Sequence, residues 1–384
     1  MKIAYFNANL KQGQDGVTRC VYRMMHAAQQ AGHKVIAVTA TPPDEDIGIP
    51  IHRVPSFAFP LQKAYRLAVP GYQSFAAALH SFTPDIIHLN SPCTLGFGAK
   101  KFAKEFGVPV VATYHTHFPT YPRYYGLKNF EELAWKISRA FYNHVDRTFV
   151  PTTPILNELT KHGLRNLQYL PNGVDEMLFH PGHRSETWRA QFGRCDKPIV
   201  LFVSRLVWEK DLRILAQAYT MLRSRRNDFI LAIIGEGPAR EEFAKLVPGA
   251  YFLGYQSGQS LSESFASADI FVFPSTTETF GLVTLEAMAS GLAPVAANVG
   301  GAAEIIIDGI SGLLVRPSNA LDLAAKLETL LDDPAKRIVL AREAAVRAEQ
   351  YHWTKILPRL FESYDEVITQ QRSRKTRAGG SLHL

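Results

Sequence analysis

Two carboxylates, Glu278 and Glu286, stand in the stretch Ser275-Thr276-Thr277-Glu278-Thr279-Phe280-Gly281-Leu282-Val283-Thr284-Leu285-Glu286-Ala287-Met288. The apolar run Ile270–Pro274 ahead of it reads as a buried strand, and the residues from Leu282 onward read as a helix. Glu278 therefore falls in a strand-to-helix loop and Glu286 one turn inside the helix. The backbone amides around Phe280, Gly281, Leu282 and Val283 would form the positive helix end, which suits a phosphate. A carboxylate on either side can accept hydrogen bonds from neutral sugar hydroxyls, Glu278 from a hexose and Glu286 from a ribose. The plain alternative is a helix capped by Thr279 with a solvated Glu286. The whole pattern behind a buried strand argues against it.

Three further pieces fit the same ligand. Arg205 and Lys210 lie in Ser204-Arg205-Leu206-Val207-Trp208-Glu209-Lys210-Asp211, directly after the apolar run Ile199–Val203. Two cations in one strand-to-helix loop can both reach a diphosphate, and they act most as negative charge grows on a departing phosphate. Alone, such a pair would be ordinary surface charge. Asp15-Gly16-Val17-Thr18 sits at the first strand-to-helix turn, where Gly16 lets the backbone approach a ligand. Thr113-Tyr114-His115-Thr116-His117 ends another strand. Its histidines could bind zinc, but no third ligand is apparent in the sequence, and hydrogen bonding in the core or a cleft fits better. His115 could then meet the donor sugar.

Other motifs carry less. Gly235-Glu236-Gly237-Pro238-Ala239-Arg240 begins like a dinucleotide fingerprint, but Arg240 stands where the third glycine belongs. Asp44-Glu45-Asp46 is formally an acid-x-acid metal motif, yet it follows Pro42-Pro43 and reads as a solvated turn. Together the residues fit a nucleotide-sugar site, with no metal ligand set and no further cofactor motif apparent in the sequence.

Elements that could position these residues alternate strand and helix twice over. Lys2–Asn7, Val35–Thr39, Asp85–Leu89 and Val108–Tyr114 are strands of one series, with helices Val17–Ala31 and Thr94–Phe106 between. Ile199–Val203, Phe229–Gly235, Ala250–Leu253, Ile270–Pro274 and Pro294–Ala297 are strands of the second. The expectation is an α/β chain of two doubly wound, Rossmann-like domains facing a cleft. Residues 1–175 form the first domain and 176–354 the second, the turn-rich join lying around Pro171–Asp175. Phe57–Pro70 breaks the rhythm with aromatics, aliphatics and two bases between prolines, and reads as a packed loop or a segment that dips into a bilayer.

Charge is uneven. Residues 1–175 hold 18 Lys and Arg against 11 Asp and Glu, whereas residues 176–370 hold 20 against 24. A basic first half suits an anionic surface such as a membrane as well as it suits an ordinary solvated one. Residues 370–384 add four bases and no acid and read as a disordered tail. Cys20, Cys93 and Cys195 include no Cys-x-x-Cys pair, and the opening residues are too short an apolar run for a secretory signal. A cytoplasmic protein is expected, with nucleic acid not among its partners.

In this order, the four pieces resemble the retaining GT-B glycosyltransferases that share the Glu-x7-Glu signature, a likeness running from Lys2 to about Tyr364. The resemblance implies that Gly16 contacts the diphosphate through its backbone while Arg205 and Lys210 neutralise it. It implies that Glu278 and the Phe280-Gly281-Leu282 amides hold sugar and phosphate, that Glu286 holds ribose, and that His115 contacts the donor sugar. Transfer on one face of the sugar, without a divalent metal, follows for such enzymes, as does a last helix, about 355–369, crossing back to the first domain. Asp15 and Asp211 depart from the glycine, or the glycine or asparagine, of many relatives. Tyr114-His115-Thr116-His117-Phe118-Pro119 with Tyr124-Tyr125-Gly126-Leu127 is similar to sulfolipid synthases, which use a UDP donor and diacylglycerol. Lipid mannosyl- and glucosyltransferases share much of this pattern. A UDP-sugar and a membrane-lipid acceptor are the expectation. A GDP-mannose donor, a soluble acceptor, an inverting enzyme using His115 or His117, and a non-enzymatic nucleotide binder stay open.

Overall fold

A computed structural model describes residues 1–11, 16–59, 62–120, 130–193 and 196–380. Asp15, Pro60, Leu61, Tyr124-Tyr125-Gly126-Leu127 and Cys195 lie outside the described residues. The chain divides into two compact units, Met1–Pro171 with Ile356–Leu384, and Asn172–Lys355.

The first unit is built on seven parallel strands: β1 (Lys2–Phe6), β2 (Lys34–Thr39), β3 (Ile51–Arg53), β6 (Ile86–Leu89), β7 (Val110–Thr113), β8 (Arg147–Val150) and β9 (Leu167–Tyr169). Their order is β3-β2-β1-β6-β7-β8-β9, so the winding reverses between β1 and β6. Between β3 and β6 stands a separate antiparallel hairpin of β4 (Ser56–Phe59) and β5 (Gln62–Ala68). This corrects the expectation of a loop over Phe57–Pro70. Ser56 pairs Ala68, Phe57 pairs Leu67, and Arg66 donates to the Ser56 hydroxyl and carbonyl at 2.9 and 2.7 Å. A proline and two bases mask the strand signal in the sequence, whereas local pairing needs only a tight connection.

The second unit holds six parallel strands: β10 (Ile199–Val203), β11 (Ile230–Ile234), β12 (Tyr251–Phe252), β13 (Ile270–Phe273), β14 (Ala293–Ala297) and β15 (Leu313–Val315). Their order is β12-β11-β10-β13-β14-β15, reversing between β10 and β13. Every residue of β10, β11, β13 and β14 is buried, as expected for strands covered by helices on both faces.

The last helix runs Trp353–Gly380 and corrects the expected disordered tail as far as Gly380, residues 381–384 lying outside the described residues. Glutamine, arginine, lysine and alanine after Thr369 are good helix formers. Arg372 and Arg374 reach Asp85 and Asp146 of the first unit at 3.6 and 3.7 Å. Farther back, Tyr364 of this helix bonds to Tyr5 and His88, and Ser363 receives a 2.5 Å bond from Arg147.

Candidate donor site

In open parallel sheets ligands gather outside the carboxyl ends of the strands where the winding reverses. In the second unit those ends belong to β10 and β13. The loop after β10 carries Arg205 and Lys210, and the loop after β13 carries Glu278.

The β10 loop is supported from β11. Ser204 donates to the Ile234 carbonyl at 3.0 Å, Leu206 to Glu236 at 2.9 Å, and Ala239 back to Leu206 at 3.0 Å. A Cβ at Gly235 would stand 1.8 Å from the Ser204 carbonyl oxygen, and one at Gly237 would stand 2.3 Å from that of Leu206. The Gly-x-Gly stretch that fails as a dinucleotide fingerprint is thus the shelf on which the cationic loop rests. The signal was legible as closely spaced glycines after a strand, but its purpose needed the neighbouring strand. The loop ends in a short 3-10 turn, Trp208–Lys210, followed by Asp211 at φ 54°.

The β13 loop is held on two sides. Thr276 donates its amide and hydroxyl to one Asp211 carboxylate oxygen at 2.8 and 2.9 Å, and the Thr277 hydroxyl donates to the Glu209 carbonyl at 3.2 Å. From behind, a Cβ at Gly300 would lie 2.2 Å from the Glu278 carbonyl oxygen, and one at Gly301 would lie 1.7 Å from that of Phe280. Phe280 turns into the core against the Tyr351 ring. The helix Leu282–Ala289 then opens from Gly281, a residue with no side chain to cap it. Its first amides, Leu282 and Val283 among them, have no intrahelical acceptor.

These braces bring Lys210 and Glu278 into a direct ion pair, their side chains only 12% and 24% exposed. Arg205 lies on the same loop but is open to solvent and faces Glu209 at 3.6 Å. Glu286 is buried inside its helix. A cation, a carboxylate and a helix N-terminus therefore meet at the reversal point. That set can bind an anion and a hydroxyl-bearing group side by side.

The remaining candidates belong to the first unit. Gly16 opens the helix Gly16–Gln30 after β1. His115 follows β7, is buried, and shares a 3.2 Å hydrogen bond with Asn90. Burial pushes its pKa down to about 4, so it is neutral near pH 7. His117 instead bonds Tyr114 at 2.9 Å and Glu158 at 3.2 Å, and the two histidines hold different partners. Asp44 pairs with Lys11 at 3.4 Å and Asp46 accepts from the Gly48 amide at 2.9 Å, as befits a surface turn.

Comparison with known proteins gives this geometry a family. Residues 184–347 match the family described as glycosyl transferases group 1, and residues 14–177 match glycosyltransferase family 4. A sulfoquinovosyl transferase of Arabidopsis thaliana is 35% identical over 368 residues, covering 92% of this chain and 71% of its own length. The chain belongs to the group 1 glycosyltransferases.

A GDP-mannose-dependent alpha-mannosyltransferase of Mycobacterium tuberculosis is 32% identical to this glycosyltransferase over 369 residues, covering 94% of each chain. In fold it resembles the sucrose-phosphate synthase of Thermosynechococcus elongatus (TM-score 0.80, 22% identity, 96% of this chain and 99% of that one). It also resembles the Anabaena HepE protein in complex with UDP (TM-score 0.79, 20% identity, 95% of this chain and 100% of that one). The expected pair of Rossmann-like parallel sheets is therefore the GT-B fold. The glycosyltransferase family segment 184–347 contains the Arg205, Lys210, Glu278 and Glu286 loops, and the segment 14–177 contains Gly16 and His115.

Proposed function

We propose that this glycosyltransferase transfers a hexose-type sugar, with retention, from a UDP-sugar to a hydroxyl of a membrane lipid such as diacylglycerol. The observation that carries the proposal is the Lys210–Glu278 pair at the sheet reversal, beside the N-terminus of the helix Leu282–Ala289. Lys210 and Arg205 neutralise the diphosphate, and the Leu282 and Val283 amides take a phosphate oxygen. Glu278 accepts from sugar hydroxyls and Glu286 from the ribose. The acceptor oxygen bonds to the anomeric carbon on the face the diphosphate leaves. The bond from that carbon to the phosphate oxygen breaks, and the acceptor proton passes to the departing phosphate. Two cations and the helix end supply the charge stabilisation, so the reaction runs without a divalent metal and persists in EDTA.

A UDP donor is supported by the resemblance to the sulfolipid synthases and by the HepE neighbour, crystallised with UDP. A GDP-mannose donor is the second reading, because the mannosyltransferase relatives match over nearly their whole length. The lipid acceptor and a peripheral place on the inner face of the membrane are supported by the basic first half and by exposed apolar side chains on two helices of the first unit. Phe130, Leu133 and Ile137 form an exposed stripe along the helix Glu131–Tyr142, and Phe97 is exposed on the helix Thr94–Phe106. Lys101, Lys104 and Lys136 stand exposed on the same two helices. Lys100 is not part of this set, since it donates to the Ala140 and Phe141 carbonyls. No described helix is long and apolar enough to cross a membrane.

The test incubates the protein with UDP-glucose or GDP-mannose, diacylglycerol vesicles and EDTA, and reads the product's anomeric configuration by NMR. An α-linked glycolipid from the UDP donor is expected. A β-linked product sinks retention, and transfer only from GDP-mannose moves the donor to the second reading. Flotation with anionic vesicles at moderate salt checks the membrane term, and absence of binding overturns the lipid acceptor.

A further inference from the structure

Asp211 occupies a position whose ordinary uses it forgoes. It stands at the N-cap of the helix Leu212–Arg223, where an aspartate normally accepts hydrogen bonds from its own helix's first amides, yet its side chain makes no such bond. Its backbone is left-handed at φ 54°, a conformation that disfavours side chains and suits glycine or asparagine. The carboxylate reaches instead into the neighbouring loop and accepts both the amide and the hydroxyl of Thr276. These are charge-assisted bonds, and one oxygen receives both.

Where these bonds lie matters more than their number. Lys210 immediately precedes Asp211, and Glu278 lies two residues beyond Thr276. The brace therefore stands back to back with the Lys210–Glu278 ion pair, and Thr277 adds a second tie to Glu209. The glycines of the shelves allow each loop to sit close to its neighbour, but no glycine contact links the two loops' charged ends. We propose that Asp211 is a positioning residue that sets the spacing between the diphosphate cation Lys210 and the sugar-binding carboxylate Glu278. The inference rests on the reading of those two as donor contacts. A donor gripped at both diphosphate and sugar reads that spacing directly, and an error of about 1 Å is enough to weaken its productive geometry.

Three substitutions separate the brace from the fold. Asp211→Gly relieves the left-handed backbone and removes the carboxylate, so the protein stays folded while the tie is lost. Asp211→Asn keeps an acceptor oxygen and tolerates the same backbone. Thr276→Val removes the hydroxyl donor from the other side. Initial rates are measured against UDP-glucose and GDP-mannose, following release of free sugar or transfer to vesicle lipid, with Lys210→Ala alongside and each variant's Tm recorded. For the donor that wild type turns over, Asp211→Gly should raise the donor KM about tenfold, with kcat changed less and Tm not lowered. Asp211→Asn should return KM to within about threefold of wild type. Asp211→Gly with Thr276→Val should cost no more than Asp211→Gly alone, since they share one interaction.

Wild-type kinetics in Asp211→Gly, with Lys210→Ala crippled, overturns the positioning role and leaves the donor site standing. A loss shared equally by Asp211→Asn and accompanied by a lower Tm makes Asp211 merely structural and also overturns it. Full activity in a folded Lys210→Ala, or no turnover of either donor by wild type, removes the donor reading and this inference with it.

Discussion

The two units bury parallel sheets in the same way and put their polar groups in different places. In the first, polar side chains stand inside the sheet: His88 on β6 contacts Tyr364 of the last helix through one ring nitrogen and Thr113 of β7 at 2.7 Å through the other. Tyr5 on β1 joins the same cluster, its hydroxyl 3.3 Å from that of Tyr364. All of these groups are neutral, since burial pushes the His88 pKa down to about 3 and raises those of both tyrosines. In the second unit the strands β10, β11, β13 and β14 are wholly apolar, and the charged groups Arg205, Lys210 and Glu278 wait in loops at the strand ends. A neutral histidine that donates at one nitrogen and accepts at the other can complete a fixed hydrogen-bond chain in a dry interior. A cation meant to exchange a carboxylate partner for a phosphate needs partial contact with water, because stripping it bare would cost several kcal/mol. The first arrangement holds the C-terminal helix to the sheet, and the second is suited to a ligand.

The largest test of this contrast is pH. His88 and His115 both have folded-state pKa values below the ordinary 6.5, at about 3 and about 4. Between those values and 6.5 the unfolded chain binds more protons than the folded one, so stability is full above pH 6.5 and falls as pH drops toward 4. A shift of one unit corresponds to about 1.4 kcal/mol, and the two together amount to several kcal/mol across that window. Thermal unfolding scanned from pH 7.5 to 4.5 should show a steep fall in Tm for wild type and a shallower one for His88→Gln. Parallel curves would mean that His88 is not held neutral by burial.

The same contrast explains what could be read from the sequence. Where a strand is a continuous apolar run it was legible, so Ile199–Val203 was read to the residue, as was the helix Thr94–Phe106 ahead of Gly107. The short polar strands Ile51–Arg53 and Leu167–Tyr169 were not. The charged loops were legible as places, because each directly follows a buried apolar strand, and the structure brings Lys210 of one against Glu278 of the other. What could not be read were contacts between loops distant in sequence. Asp211 looked like a mere departure from glycine until Thr276 stood beside it, and Gly300-Gly301 carried no signal until the Glu278 and Phe280 carbonyls lay against them. The β4–β5 hairpin and the helical continuation past Thr369 were missed for another reason, since a proline and a run of bases outweigh local pairing and helix propensity in any pattern count.

Lys210→Ala gives the next effect in size and acts on the other side of the contrast. It should cut turnover about a hundredfold or more, a loss of roughly 2.7 kcal/mol that matches removal of one transition-state donor. The slope of Tm with pH should be that of wild type, because Lys210 lies in the second unit and the titrating histidines in the first. Lys210→Arg keeps the charge and should recover part of the loss. Turnover near wild type in a folded Lys210→Ala protein would show that the loop cation is ordinary surface charge.

The smallest effect concerns the neutral cluster alone. Tyr364→Phe keeps the ring against His88, at a centroid distance of 5.7 Å and an angle of 90°, and deletes only the hydroxyl. The Tyr5 hydroxyl and the His88 Nδ1 then lose the partner they share, and neither reaches solvent. A buried group left without a partner costs about 1–3 kcal/mol, whereas replacing both members of a pair by apolar groups is nearly neutral. Tyr364→Phe should therefore destabilise by about 1.5 kcal/mol in urea unfolding, and adding Tyr5→Phe should restore part of that rather than add to it. Should the double variant instead lose the sum of the two single losses, the hydroxyls act independently. The first unit's interior would then be held by ring packing, with no hydrogen-bond chain behind it.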